Sequence, residues 1–213
     1  MKKMFDFVLL AVAILALAVP SAMAQNLLVD PSFEDPTKVT TDGPPFIGFW
    51  EAFNGASASS LHATVDPLSG TGHMSLSTTG NNTFAGMFQD VAVTAGNPAT
   101  FSVWHKTTSL PYTIGTEMRI EWRNSVSNTE ISRTPNLTTS PTDSYSLLSI
   151  DLPVPAGVDI ARVVYAIQTF GNGADSDIGT VYVDDASVTI PEPATMALIG
   201  MSLVGLAGLR RRS

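Results

Sequence analysis

From Gln25 onward no long stretch keeps the 3.6-residue apolar spacing of a helix; short β-branched or alternating runs are cut by clusters of Gly, Pro, Asn, Asp, Ser and Thr. A chain punctuated in this way has no continuous apolar stripe to bury as a helix, so it must pair strands and close them with turns. The clearest strands are expected at residues 46–53, 72–78, 83–94, 100–107, 116–124, 144–152, 160–169 and 180–190, with a shorter one at Leu27 to Val29 and a weak one near Glu130. Turns are marked by Asp42-Gly43-Pro44-Pro45, Ser69-Gly70-Thr71-Gly72, Ala95-Gly96-Asn97-Pro98, Pro153 to Gly157 and Gly171-Asn172-Gly173. About ten strands without an internal repeat predict an all-β fold, a two-sheet β-sandwich of jelly-roll type. The region 25–190 is long enough for one domain with its own core.

Charge and cysteine content narrow the function classes. Between Gln25 and Ile190 six Lys and Arg stand against seventeen Asp and Glu, a balance of −11, more acidic than the −8 of the whole chain. Such a surface repels nucleic acid. With no cysteine, disulfides, thiol catalysis and thiolate metal sites are all excluded.

Both ends differ from this middle. Met1 to Ala24 reads as a signal helix: Lys2 and Lys3 are a basic start, Phe7 to Val19 an apolar run, and Ala22-Met23-Ala24 an A-x-A site that signal peptidase would cut, with Asp6 the one blemish. At the other end Pro191-Glu192-Pro193 is followed by an uncharged run from Ala194 to Leu209 and by Arg210-Arg211-Arg212-Ser213. As a helix that run spans roughly 24 Å against about 30 Å of hydrocarbon, short but usable once the arginines snorkel. Gly200, Gly205 and Gly208 weaken it, and the arginines place its end on the cytoplasmic side. A core helix of a soluble domain is the competing reading, disfavoured because the run has no polar face.

Residues 191–213 resemble the tail of PEP-CTERM bacterial surface proteins, in which a Pro-Glu-Pro motif, a transmembrane helix and a basic end stand in this order. The resemblance implies export, transient anchoring in the inner membrane, cleavage near Pro191 to Pro193 by an exosortase, and delivery to the cell surface or an extracellular matrix. It is silent on the chemistry of the region 25–190.

Within that region, Asn26-Leu27-Leu28-Val29-Asp30-Pro31-Ser32-Phe33-Glu34 and Val181-Tyr182-Val183-Asp184-Asp185-Ala186-Ser187-Val188 resemble the opening and closing strands of carbohydrate-binding-module jelly rolls, the galactose-binding-like sandwich. Ser69-Gly70-Thr71-Gly72-His73-Met74-Ser75-Leu76 and Thr100-Phe101-Ser102-Val103-Trp104 are similar to its S-G loop and its aromatic central strand. The resemblance implies one structural Ca²⁺, with Glu34 and Asp184 as side-chain ligands and carbonyls from Ser69 to His73 completing the shell. Asp185 alternates to the opposite face of a regular strand. The competing reading makes both aspartates solvated charges that guard a sheet edge. Asp175-Ser176-Asp177 lacks the rest of a calcium loop.

A polysaccharide face is the second candidate. Sugar rings are held by flat aromatic rings, and planar polar groups take their hydroxyls. Alternation puts Arg119, Glu121 and Arg123 on one side of their strand and Met118, Ile120 and Trp122 on the core side. On the strand from Phe101 to Lys106, Phe101, Val103 and His105 face inward and Ser102, Trp104 and Lys106 outward, which makes Trp104 the best exposed platform. If the two strands are neighbours, Trp104 lies beside Arg119, Glu121 and Arg123. Trp50, within an aromatic cluster of Phe46, Phe49 and Phe53, either lines a site at the loop edge or packs in the core. Cross-strand charge pairs around a half-buried tryptophan are the structural alternative.

Catalysis is the reading from another class. His62, His73 and His105 are dispersed, with no nucleophile elbow, metal motif or phosphate loop around them; Glu117 and Glu121 share a strand face and form a carboxylate pair of the kind a glycosidase could use, though such pairs are common in so acidic a domain. The expectation is a non-enzyme: an exported jelly roll that binds or organises extracellular polysaccharide, or a structural spacer without a discrete ligand.

Overall fold

Alternation decides where each strand's side chains go, and hydrogen-bond register decides which strands share a sheet. The computed structural model describes residues 25–40, 47–169 and 178–190. The leader with Ala22 and Ala24, the turns at 42–45 and 171–173, the 175–177 triplet, and the tail with Pro191, Glu192, Pro193, Arg210, Arg211 and Arg212 lie outside the described residues.

Eleven strands are present among the described residues: β1 (Val39–Thr40), β2 (Trp50–Asn54), β3 (Ala58–Ala63), β4 (His73–Thr78), β5 (Phe84–Ala92), β6 (Pro98–Thr107), β7 (Gly115–Asn124), β8 (Thr129–Arg133), β9 (Ser146–Pro153), β10 (Ile160–Gln168) and β11 (Gly179–Thr189). They form a six-stranded sheet in the order β1-β2-β5-β10-β7-β8 and a five-stranded sheet in the order β3-β4-β11-β6-β9. The short β1–β2 pair is parallel; the other pairs are antiparallel. Among the described residues the one helical element is a 3₁₀ turn, Pro36–Lys38, in which the Thr37 amide is capped by the Asp35 carboxylate. None of them forms a helix long and apolar enough to cross a membrane.

The core lies between the sheets. Met74, Leu76, Phe101, Val103, Val181 and Val183 enter from one side; Met87, Met118, Ile120, Trp122, Val163, Tyr165 and Ile167 enter from the other. Among the described residues the core runs from Leu28 to Val188, and Gln25–Ile190 forms one compact unit around it. Trp122 and His105 point inward as alternation predicts, and His105 Nδ1 meets the Tyr165 hydroxyl at 2.7 Å, one polar tie across an apolar interface.

Three expectations change. Leu27 to Val29 is not a strand: Asp30 and Phe33 take left-handed backbone angles and turn the chain, leaving an isolated bridge from Asn26 to Thr189. The unforeseen β3 reads Ala-Ser-Ser-Leu-His-Ala, a sequence poor in β-branched residues that pairs with β4 across its full length. Finally, β6 and β7 are not neighbours; they belong to different sheets, because the connection between them crosses the sandwich.

Candidate functional site

The outer face of the six-stranded sheet is built around β10, which pairs with β5 on one side and β7 on the other. Ala161, Val163, Tyr165 and Ile167 belong to the core, so Arg162, Val164 and Ala166 face away from it. Cross-strand register then lays out three rows: Phe53, Gly86, Ala166 and Glu117; Glu51, Phe88, Val164 and Arg119; and Asp90, Arg162 and Glu121, with Arg133 of β8 beyond. Val164 and Ala166 are only 1% and 3% exposed although they turn their backs on the core. Val164 is the floor of a cleft of about 220 Å³ lined also by Phe53, Phe88, Arg119, Glu121 and Arg162.

One wall is aromatic. The Phe53 ring stands 5.9 Å from Phe88 and 6.1 Å from Phe84, centroid to centroid, and Phe84 at the strand's start is 45% exposed. Gly86 makes this wall possible: a Cβ there would come within 2.4 Å of the Phe53 ring, so only glycine lets the ring lie across β5. The guanidinium of Arg162 stacks 4.3 Å from the Phe88 centroid and is held by the Asp90 carboxylate through bonds of 2.7 and 2.9 Å.

The opposite wall is ionic. Arg119 donates to Glu117 on one side and to Glu121 on the other, the latter through Nε at 2.9 Å. Arg123 and Arg133 each approach Glu121 to 3.8 Å, and Asn136 donates to Glu117 at 2.6 Å. At the rim, Arg133 forks onto Glu130 with bonds of 2.6 and 2.7 Å, which lowers the Glu130 pKa. The four arginines of the region, Arg119, Arg123, Arg133 and Arg162, all lie on this face. Planar donors and acceptors held rigid by mutual pairing lose little entropy when a hydroxyl adds to them. Arg119 joins Glu117 and Glu121, the carboxylate pair that a glycosidase reading would use.

Arg119, Glu121 and Arg123 therefore share one face, as alternation predicts, but Trp104 does not join them. It sits on the outer face of the other sheet, between Asp184 of β11 and Leu147 of β9. Trp50 does not line a site: at 1% exposure it packs on Phe33 with ring centroids 4.9 Å apart and donates its indole N–H to the Asp30 carbonyl. The aromatic side of the cleft belongs to Phe53 and Phe88, with Phe84 against the Phe53 ring, and its second arginine is Arg162. The outward placement of Phe53 was readable, because an inward Trp50 puts the residue three positions on to the opposite side.

Glu34 and Asp184 meet at the Leu68 to Gly72 loop, the loop that the resemblance brings between them. Glu34 accepts from the Thr71 amide and hydroxyl and from the Gly72 amide, bonds that lower its pKa, the Thr71 amide first. Asp184, fully buried, accepts from the amides of Leu68, Ser69 and Asp185; its burial raises its pKa. Calcium needs six to eight oxygens, and a carboxylate offers about four lone-pair sites. Here those sites face N–H and O–H protons, which repel a cation. Among the described residues no three acidic or histidine side chains gather as a metal cage. In this arrangement the two carboxylates fit a latch on the loop better than a calcium shell.

Residues 189–212 match the PEP-CTERM protein-sorting motif, which marks an exported protein. Among solved structures the fold resembles the CBM22-1 xylan-binding domain from Paenibacillus barcinonensis, with a TM-score of 0.53 and 13% identity over 81% of this chain and 99% of that one. It also resembles TmCBM61 in complex with β-1,4-galactotriose, with a TM-score of 0.50 and 12% identity over 78% and 99%. A third likeness is to the enzymatically active domain of tailspike protein 4 of bacteriophage CBA120, with a TM-score of 0.59 and 13% identity over 78% of this chain but only 21% of that one. These likenesses show the fold. No curated protein matches the chain in sequence.

Proposed function

We propose that this is an exported, non-catalytic polysaccharide-binding protein whose cleft on the six-stranded sheet holds a sugar ring. Residues 1–24 act as a leader removed by signal peptidase. Residues 191–213 hold the chain transiently in the inner membrane until an exosortase cuts near Pro191 to Pro193, and residues 25–190 reach the cell surface or its matrix. The observation that carries the reading is the cleft itself: Phe53 and Phe88 on one wall, Arg119 and Glu121 on the other, and Val164 as the floor. An aromatic wall suits the C–H face of a pyranose, and the opposing polar groups suit its hydroxyls. At about 220 Å³ the cleft is smaller than the roughly 300 Å³ and upward of drug-sized pockets, so affinity for one chain is expected to be weak.

The loop latch of Glu34 and Asp184 is proposed to work without a resident metal. A second reading, a spacer without a ligand, is favoured by the mutual pairing of Arg119, Glu117 and Glu121, which leaves the polar wall satisfied without a sugar. Calorimetric titration of Gln25–Ile190 with soluble xylan, galactan and β-glucan oligosaccharides, alongside Phe53→Ala, separates the two. Binding lost in the variant supports the cleft; no heat with any glycan supports the spacer.

A further inference from the structure

On the other side of the sandwich, β11, β6 and β9 present a second outer face. Register puts Thr189, Thr100 and Asp151 in one row, Ser187, Ser102 and Ser149 in the next, and Asp184, Trp104 and Leu147 in the third. Their neighbours Phe101, Val103, Leu148, Ala186 and Val188 enter the core, so these rows face out. In a sheet such rows repeat at about 4.8 Å across the strands and about 6.8 Å along them. Asp184 is drawn away under the amides of Leu68 and Ser69, which leaves Asp151 as the one exposed charge of the three rows in a region that carries −11. Among the described residues the Ser102, Ser149 and Ser187 hydroxyls have no protein partner.

We propose that this face is a second carbohydrate site, which takes the flat surface of an assembled, uncharged polysaccharide rather than a single chain in a cleft. The half-buried Trp104 indole, with the exposed Leu147 beside it, supplies the apolar platform. The hydroxyl rows exchange hydrogen bonds with the polymer's own hydroxyls, and within these three rows Asp151 is the one exposed ion to be stripped of water; the next row along holds Lys106, paired with Asp66 and set over the Tyr145 and Tyr182 rings. This charge match selects a neutral polymer, since Asp151 and the acidic surroundings would repel an anionic one. With the cleft on the opposite side, one domain bridges two pieces of polysaccharide, and each contact raises the effective concentration for the other. The site is independent of the cleft in its residues and in its test.

The test is retention of Gln25–Ile190 on microcrystalline cellulose and on chitin, compared with titration by soluble oligosaccharides, for wild type, Trp104→Ala, Ser149→Glu and Phe53→Ala. Ser149 is exposed, so its replacement adds charge to the face without disturbing the core. The expected result is a roughly tenfold loss of retention in both Trp104→Ala and Ser149→Glu, the scale of one lost anchor, with soluble binding unchanged. Phe53→Ala should lose soluble binding and keep its retention. Wild-type protein that passes through both matrices, or retention unchanged in either face variant, overturns the proposal. Trp104-dependent retention without any soluble binding overturns the cleft reading alone.

Discussion

The ring of Phe53 lies across the backbone of Gly86, so that a methyl group there would press on it at 2.4 Å and on the Ala166 Cβ at 2.8 Å. A small residue on a central strand thus sets the position of the cleft's aromatic wall. Gly86→Ala should cost about 1–3 kcal/mol by overpacking and weaken glycan binding, because the ring must lift. Adding Phe53→Ala should recover much of the stability and none of the binding. Urea melts and titrations of the double-mutant cycle read this coupling directly.

Arg119 joins Glu117 to Glu121, and all three side chains are largely shielded from water. Arg119→Met should destabilise the domain by about 2–4 kcal/mol, since two partly buried carboxylates lose a shared partner. Replacing Glu117 and Glu121 by glutamine in the same chain should return part of that loss. Equal urea midpoints for Arg119→Met and wild type would show that the network contributes nothing to stability.

Much of the fold was legible from alternation alone. The inward positions of Phe101, Val103 and Trp122 and the common face of Arg119, Glu121 and Arg123 follow from period two. What alternation cannot supply is sheet order. Trp104 lies beside Arg119 only if successive strands pair, whereas the chain crosses the sandwich between β6 and β7. The segment around β5 is apolar on both faces, so Phe84 and Phe88 could not be told from core residues by pattern. Nor does residue type reveal β3, where pairing with β4 overrides the weak strand preference of alanine and serine.

Acid should destabilise the domain, and the histidines set where. Burial pushes both His73 and His105 down to about 4; for His73 the neighbouring charges of His62 and Lys106 add to the effect. The unfolded chain gains these protons near pH 6.5, and the folded one not until about pH 4, so stability falls as pH drops through that window. Linkage puts the loss on the order of 3 kcal/mol per histidine. Glu34, with its pKa lowered, adds a loss below the ordinary carboxylate range; Asp184, with its pKa raised, works the other way and gains as it protonates. Urea midpoints from pH 7 to pH 4 should decline, and His73→Gln with His105→Gln should flatten the decline.

The loop latch gives a separate test. Glu34→Gln turns an acceptor of amide and hydroxyl protons into a group that presents a donor of its own, so the melting temperature should fall. EDTA should leave the wild-type melt unchanged, because a ligand that binds only the folded state raises its stability and its removal lowers it. A melt that drops in EDTA and recovers with added calcium would restore the ion to Glu34 and Asp184.

The function proposed for this domain rests on the cleft between Phe53 and Arg119 holding sugar. Proton and nitrogen NMR shifts of Gln25–Ile190, followed during titration with xylohexaose and galactotriose, test it most directly. Shifts should concentrate on β2, β5, β7 and β10 at Phe53, Gly86, Phe88, Arg119 and Val164, and should vanish in Phe53→Ala. Shifts confined to the loop edges, or saturable binding that survives in Phe53→Ala with the same pattern, would contradict it.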